Sequence, residues 1–329
     1  MNPFKSILTN NKPALLQYLE GGNVNIVDEK GRNLLDYAIF TNHNEFFKLL
    51  LKSYIRLDAK DCYGNTCYHY AVLYNQLGFL KALLRTNPVW QMENHKRQSP
   101  LYLACLYGRK EMVLLFLEQT TFSLGIKDSD GKTAFMALVC SKNLDLIETL
   151  GQYQDWIDEE DFFGRTPLFY AVRHNDFPMV RFLLEQKAFV NAKDSHKETP
   201  LFWAVRNQNR QLVQLLLENG AYSLCKNNQD ETIFDCCPTD FKEDLEELFY
   251  RSNQHQYRRL FPFHAAILLE ATDLSLYLTP QYMYSEDWYG QTPLFLAKKL
   301  QKKELTAAIE ANQHRFKLNF LDKKVKSCQ

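Results

Sequence analysis

Apolar residues recur along this chain in two alternating segments. The longer kind, EFFKLLLK at 45, KEMVLLFLE at 110, FPMVRFLLE at 177 and RQLVQLLLE at 210, carries leucines at helical spacing and predicts amphipathic helices. The shorter kind precedes each of these and is typified by TPLFYA at 166. There a threonine at the cap position and a proline at the first helical position predict a short helix, because the missing proline N–H costs nothing in the first turn. Ahead of each short helix lies a polar turn, often built on an aspartate and a glycine.

Aligned on that turn, the chain repeats itself. The copies are DEKGRNLLDYA at 28, DCYGNTCYHYA at 61, NHKRQSPLYLA at 94, DSDGKTAFMAL at 128, DFFGRTPLFYA at 161, DSHKETPLFWA at 194 and NNQDETIFDCC at 227, each 33 or 34 residues after the last. Two looser copies follow, QYRRLFPFHAA at 256 and DWYGQTPLFLA at 287. Each unit is therefore a turn, a short helix, a second turn and a longer helix. Gly31, Gly64, Gly131, Gly164 and Gly290 fall where the turn needs a positive φ. Leu35, Leu101, Leu168, Leu201 and Leu294 are expected to point into the stack, and Ala38, Ala71, Ala104, Ala171, Ala204 and Ala297 to let neighbouring helices approach. No unit can bury its own apolar face, so adjacent units bury each other's.

This pattern resembles the ankyrin repeat, with TPLF at 166–169, 199–202 and 292–295 standing where that family has its TPLH tetrapeptide. The resemblance implies an all-α solenoid of stacked helix-turn-helix units with projecting β-turn fingers. On this reading residues 1–27 form an N-terminal helical cap, 28–226 regular repeats, 227–300 divergent repeats and 301–329 a capping helix and tail, all in one continuous domain. The chain departs from the family at the tetrapeptide histidine, which only His69 and His264 keep. Tyr102, Phe169, Phe202 and Phe295 replace it elsewhere, and Cys236, Cys237 and Pro238 interrupt the helix expected near 233.

Composition adds exclusions. The 39 basic and 39 acidic residues give no net charge, so nothing drives the whole molecule onto a nucleic-acid backbone or an anionic membrane. Apolar runs are too short to span a bilayer, and residues 1–16 lack the layout of a secretory signal, so a cytoplasmic protein is expected. The eight cysteines are scattered and read as free thiols. GIKDSDGKT at 125 resembles a phosphate-binding loop but has five residues between its glycines where that loop requires four, and it falls in register with the other turns. Cys62, Cys67 and His69, and likewise Cys236, Cys237, His255 and His264, are weak metal-site candidates; a metal or catalytic site in 227–270 is the alternative reading. No catalytic motif, cofactor or metal is expected.

The resemblance further implies recognition of another protein in a groove between the fingers and the first helices, with no enzymatic activity. The tip positions beside the aspartate and the glycine are then expected to be free of any role in the fold. They include Cys62 and Tyr63, Phe162 and Phe163, Tyr257, and Trp288 and Tyr289, with Arg165 beside them. Tyr74, Tyr107, Arg173, His174 and Arg206, together with Leu73 and Leu106, are the expected groove positions on the helices. A monomer is expected, acting as a scaffold, inhibitor or masking protein, with secretion into a host cell as a bacterial effector as the second reading.

Overall fold

The computed structural model describes residues 2–87, 91–118, 124–151, 153–252, 262–268, 274, 277–286 and 291–326. They are helical, with no strand among them, and no described helix is long and apolar enough to cross a membrane. Contacts group the chain into two compact units, one of residues 1–222 with 226–230 and one of residues 223–225 with 231–329.

The first unit opens with two helices, Pro3–Leu8 and Lys12–Leu19, followed by six finger-and-helix-pair repeats. Their first helices are Leu34–Phe40, Cys67–Leu73, Pro100–Leu106, Ala134–Cys140, Pro167–Arg173 and Pro200–Arg206. Local chemistry sets the ends of most of them, although the Thr166 and Thr199 hydroxyls make no cap hydrogen bond. At the start, Ser99 Oγ accepts from the Tyr102 N–H and Thr133 Oγ1 from the Met136 N–H, both at 3.1 Å. Two residues past the last helical turn the backbone turns left-handed at Asn42, Asn75, Gly108, Lys142, Asn175 and Gln208, which ends each helix and launches the next. Each first helix packs on the first helix of the next repeat. Ala38, Ala71, Ala104, Ala171 and Ala204 are fully buried at that contact, as are Leu35, Leu101, Leu168 and Leu201.

Each finger is folded by its own leading residue. Asp28, Asp61, Asp128, Asp161 and Asp194 all accept, through one carboxylate oxygen, the backbone N–H groups two and four residues on, and Asn94 does the same. Gly31, Gly64, Gly131 and Gly164 take the positive φ the turn requires. Where a copy lacks glycine, Arg97, Lys197 and Asp230 accept the strain at φ of 55°, 60° and 61°.

Neighbouring fingers are then stitched together. The N–H of Cys62 donates to the Lys30 carbonyl, His95 to Tyr63, Ser129 to Lys96, Phe162 to Asp130, Ser195 to Phe163 and Asn228 to His196, over 2.7–3.0 Å. Every tip residue in this series spends its backbone on the fold. The expectation that the tip positions have no role in folding is thus corrected: only their side chains are free, because an unpaired N–H at the foot of the next finger would otherwise lack a partner.

The tetrapeptide-histidine position faces the following repeat. His69 is buried; its Nδ1 accepts from the Thr66 N–H at 3.1 Å, leaving Nε2 to donate to the Gln98 carbonyl at 2.9 Å. Tyr102 reaches instead for the Asp128 carboxylate at 2.7 Å. Asp36 closes a reciprocal capping box with Asn33, and its second oxygen is buried without a partner. Met136, Phe169 and Phe202 fill the same place with apolar volume.

The second unit contains helices Lys242–Ser252, Pro262–Leu268, Pro280–Met283, Pro293–Lys299 and Lys303–Lys326. Phe263, Ile267, Met283, Leu296, Ala297 and Ile309 form its core, with Leu294 and Leu305 partly buried against it. No helix forms between Glu231 and Phe241: Thr232 caps onto Asp235, and Pro238 can neither donate nor follow a helical residue comfortably. His264 keeps the family contact, Nε2 to the Gln291 carbonyl at 2.7 Å, whereas Phe295 at the corresponding position is exposed. Gly290, Trp288, Tyr289, Tyr257 and His255 lie outside the described residues, as do the side chains of Phe316 and Phe320, which the expected capping helix would lay on the last repeat.

Candidate partner-binding surface

The tip side chains of the first unit stand out from pinned backbones. Tyr63, Phe162 and Phe163 are 62%, 66% and 47% exposed, and Cys62 is also exposed. Phe162 leans over the preceding finger, its ring so close to Gly131 that a Cβ there would sit 2.6 Å from it. Two thirds of its surface nonetheless remains open. Phe163 is backed by the Arg165 guanidinium, 4.5 Å from its ring centre. Arg165 itself is half-spent: it donates to Asp161 at 2.8 Å and leans on Tyr170, whose hydroxyl donates to the same carboxylate at 2.6 Å. It therefore positions the tip more than it offers a free charge.

The first-helix row beside the fingers changes character along its length. At the N-terminal end it is aromatic: Tyr37, Phe40, Tyr70 and Tyr74 form a chain of rings 4.6–6.2 Å apart, begun by Phe4 and covered by Arg32. Arg32 and Tyr37 also bind Asp28, and against the desolvation that would raise it these hydrogen bonds hold the Asp28 carboxyl below its ordinary value. Tyr107 continues the row, half-exposed, with Leu73 and Leu106 partly buried beside it.

Further along, the row becomes basic. Arg173 lies over Trp203 at 5.6 Å, Lys132 over Tyr170 at 4.7 Å, and the Lys142 ammonium donates to the His174 carbonyl at 3.0 Å. Partial burial, then the neighbouring charges of Lys142, Arg173 and Lys132, depress the His174 imidazole below its usual value. Arg206 differs, clamped in a two-pronged ion pair with the buried Glu198. Reading the sequence at the tips alone passes over Lys132, Lys142, Phe40 and Tyr70. The signal for them was there in the aligned repeats: Lys132 shares the column of Arg165, Phe40 and Tyr70 lie on first helices, and Lys142 on the turn after one.

Cys67 is buried with its Sγ on the Leu57 carbonyl, burial pushes its thiol well up, and Cys237 is pushed up to about 11 by the same cause. Among the described residues no group of three or more His, Cys, Asp or Glu side chains is arranged to hold a metal ion. The 125–133 segment is a finger, bridged between Lys127 and Thr133.

The family model for ankyrin repeats, in three copies, matches residues 6–91 and 151–230, half of the chain. The chain belongs to the ankyrin repeat family. Residues 92–150 lie outside that match, yet the fingers at 94 and 128 carry the same turn and inter-finger hydrogen bonds. Among viral relatives, a putative ankyrin repeat protein of Acanthamoeba polyphaga mimivirus, L371, is 22% identical over 51% of this chain and 23% of its own length. Fowlpox virus (strain NVSL) FPV222 is 31% identical over 26% of this chain and 12% of its own length. This chain thus spans a quarter or less of both. Two solved structures share the fold. The ankyrin repeat domain of Bcl-3 has a TM-score of 0.56 at 24% identity, and that of human ASB11 has 0.58 at 22%. Each comparison covers 66% of this chain and nearly all of the other. Ankyrin repeats are protein–protein interaction modules.

Proposed function

We propose that this ankyrin repeat chain is a non-enzymatic binding module that holds one partner protein against the fingers and first helices of residues 28–226. The observation that supports this reading is the combination at the fingers: Tyr63, Phe162 and Phe163 are large, exposed and mounted on backbones fixed by the inter-finger hydrogen bonds. Such side chains lose little further freedom on binding, and aromatics dominate interface hot spots. Each ring offers about 150–250 Å² to a partner.

The test replaces Phe162 and Phe163 together by serine. Stability is expected to stay within about 1 kcal/mol of the parent, because two thirds of Phe162 and nearly half of Phe163 are open to solvent. A partner captured by the parent chain is expected to bind at least about thirtyfold more weakly, the loss of a hot-spot anchor. Undiminished binding by a folded double variant would place the partner elsewhere.

A further inference from the structure

The basic part of the first-helix row is unbalanced. The chain as a whole carries no net charge, but most carboxylates near this patch are already engaged, Asp130 being the exception. Asp128 is buried beneath Tyr102, Asp161 beneath Arg165 and Tyr170, and Glu198 against Arg206. Asp176 accepts the Met179 N–H at the start of the next helix, and Asp130 stands out on a finger tip. Lys132, Lys142 and Arg173 are left without an ion-pair partner among the described residues. Arg173 and Lys142 are exposed, and Lys132 is half-buried. Lys132 and Arg173 lie over aromatic rings and Lys142 on the His174 carbonyl, so their stems are already ordered while their charge is kept for a visitor. On the N-terminal side the same row continues with Tyr107, Leu106, Tyr74 and Leu73, none of them charged.

We infer that the segment held here is an acidic-and-apolar peptide of the partner, with carboxylates on Lys132, Lys142 and Arg173 and apolar side chains on the Leu73–Tyr107 stretch. This rests on the reading above that the fingers and first helices bind a protein. Charge complementarity supports it: three uncompensated cations over two adjacent repeats match a short run of Asp or Glu side chains. They are too few and too local for the many phosphate contacts by which a nucleic acid is held.

The experiment selects random twelve-residue peptides displayed on phage against the immobilised full chain and against the triple variant Lys132→Gln, Lys142→Gln, Arg173→Gln. Peptides enriched in Asp and Glu next to apolar residues are expected from the parent. A fluorescein-labelled copy of the best of them is expected to lose at least about tenfold in affinity for the triple variant. A similar loss is expected for the parent between 50 and 500 mM NaCl, as exposed charges are screened. That salt titration needs no variant, so a misfolded triple variant leaves the inference open to refutation. Groove peptides that lack acidic residues, or whose binding ignores salt, overturn the inference but leave the binding function standing. Selected peptides indifferent to both the cation variant and the Phe162/Phe163 double variant overturn both. Tighter, salt-steep binding of a dT20 oligonucleotide than of any acidic peptide, lost with the same three residues, overturns it in favour of nucleic acid.

Discussion

The repeats at 28, 61 and 94 and those at 128, 161 and 194 share one backbone plan but divide polarity in opposite ways. In the first three, the buried position between repeats is polar, held by Asp36, His69 and Tyr102, while the exposed first-helix row is aromatic and aliphatic, from Phe40 to Tyr107. In the second three, that buried position is apolar, held by Met136, Phe169 and Phe202, and the row outside turns basic at Lys142, Arg173 and Arg206. The scaffold requires only that each position be filled and satisfied. Hydrogen bonding does so at one end and volume at the other, which leaves the outer row free to differ.

The largest expected effect tests how the fingers are anchored at the two ends. Asp161→Ala is expected to cost about 3 to 5 kcal/mol, because it strands the partly buried Arg165 along with Tyr170. Asp61→Ala, whose carboxylate holds Tyr70 and Asn65 but no cation, is expected to cost about 1 to 3 kcal/mol. Urea unfolding of both variants measures the difference; equal losses would mean that the ion pair adds nothing to the finger.

A smaller effect separates the two kinds of buried position by pH. Burial pushes the Asp36 carboxyl up to about 8 and the His69 imidazole down to about 4. The folded chain then holds a proton on Asp36 that the unfolded chain releases near pH 4, so this contribution is lost as pH rises towards 8. His69 acts in the other direction, its contribution being lost as pH falls from about 6.5 towards 4. The two slopes oppose each other below pH 6.5, and Asp36 acts alone above it. Asp36→Asn is expected to remove the decline in stability between pH 6.5 and 8 and to unmask the His69 loss as pH falls from about 6.5 towards 4, whereas His69→Gln is expected to extend the Asp36 decline down to about pH 4. Phe169 and Phe202 leave the other three repeats no such titration; a pH slope that survives both substitutions would have to come from elsewhere.

The smallest effect concerns finger stacking. Gly131→Ala meets both the positive φ and the Phe162 ring, whereas at Gly31 the nearest atom to a new Cβ is 3.1 Å away. Gly131→Ala is expected to cost about 2 to 3 kcal/mol and Gly31→Ala about 1 to 2. Adding Phe162→Ser should recover part of the loss at Gly131 alone. Thermal unfolding reads all three variants, and an unrecovered loss would assign the cost to the backbone, through the positive φ and the Phe162 nitrogen 2.7 Å from a new Cβ.

Much of this was legible in the 33-residue period. The turn aspartate, the glycine after it, the proline that opens the short helix and the alanine column name their own physical roles, because each satisfies a local requirement of one turn or one helix contact, whereas the Thr166 and Thr199 hydroxyls make no cap bond. The same columns marked Tyr63, Phe162 and Phe163 as tip residues. Charges whose partner lies in the same repeat were harder to read. Arg165 looked like a tip charge and is bound to Asp161; Arg206 looked like a groove charge and is bound to Glu198.

The sequence by itself determined the repeat, the order of its elements and the residues that cap and turn them, since these follow from interactions within a dozen residues of chain. Tertiary structure decided which polar groups are consumed. The tip N–H of one finger is paid for by a carbonyl of the one before it, and Lys132 is oriented by a ring 38 positions further along. Those pairings cross from one repeat to the next. The stack also fixes the distances that leave Lys132, Lys142 and Arg173 without a carboxylate, whereas Arg165 and Arg206 are neutralised within their own repeats.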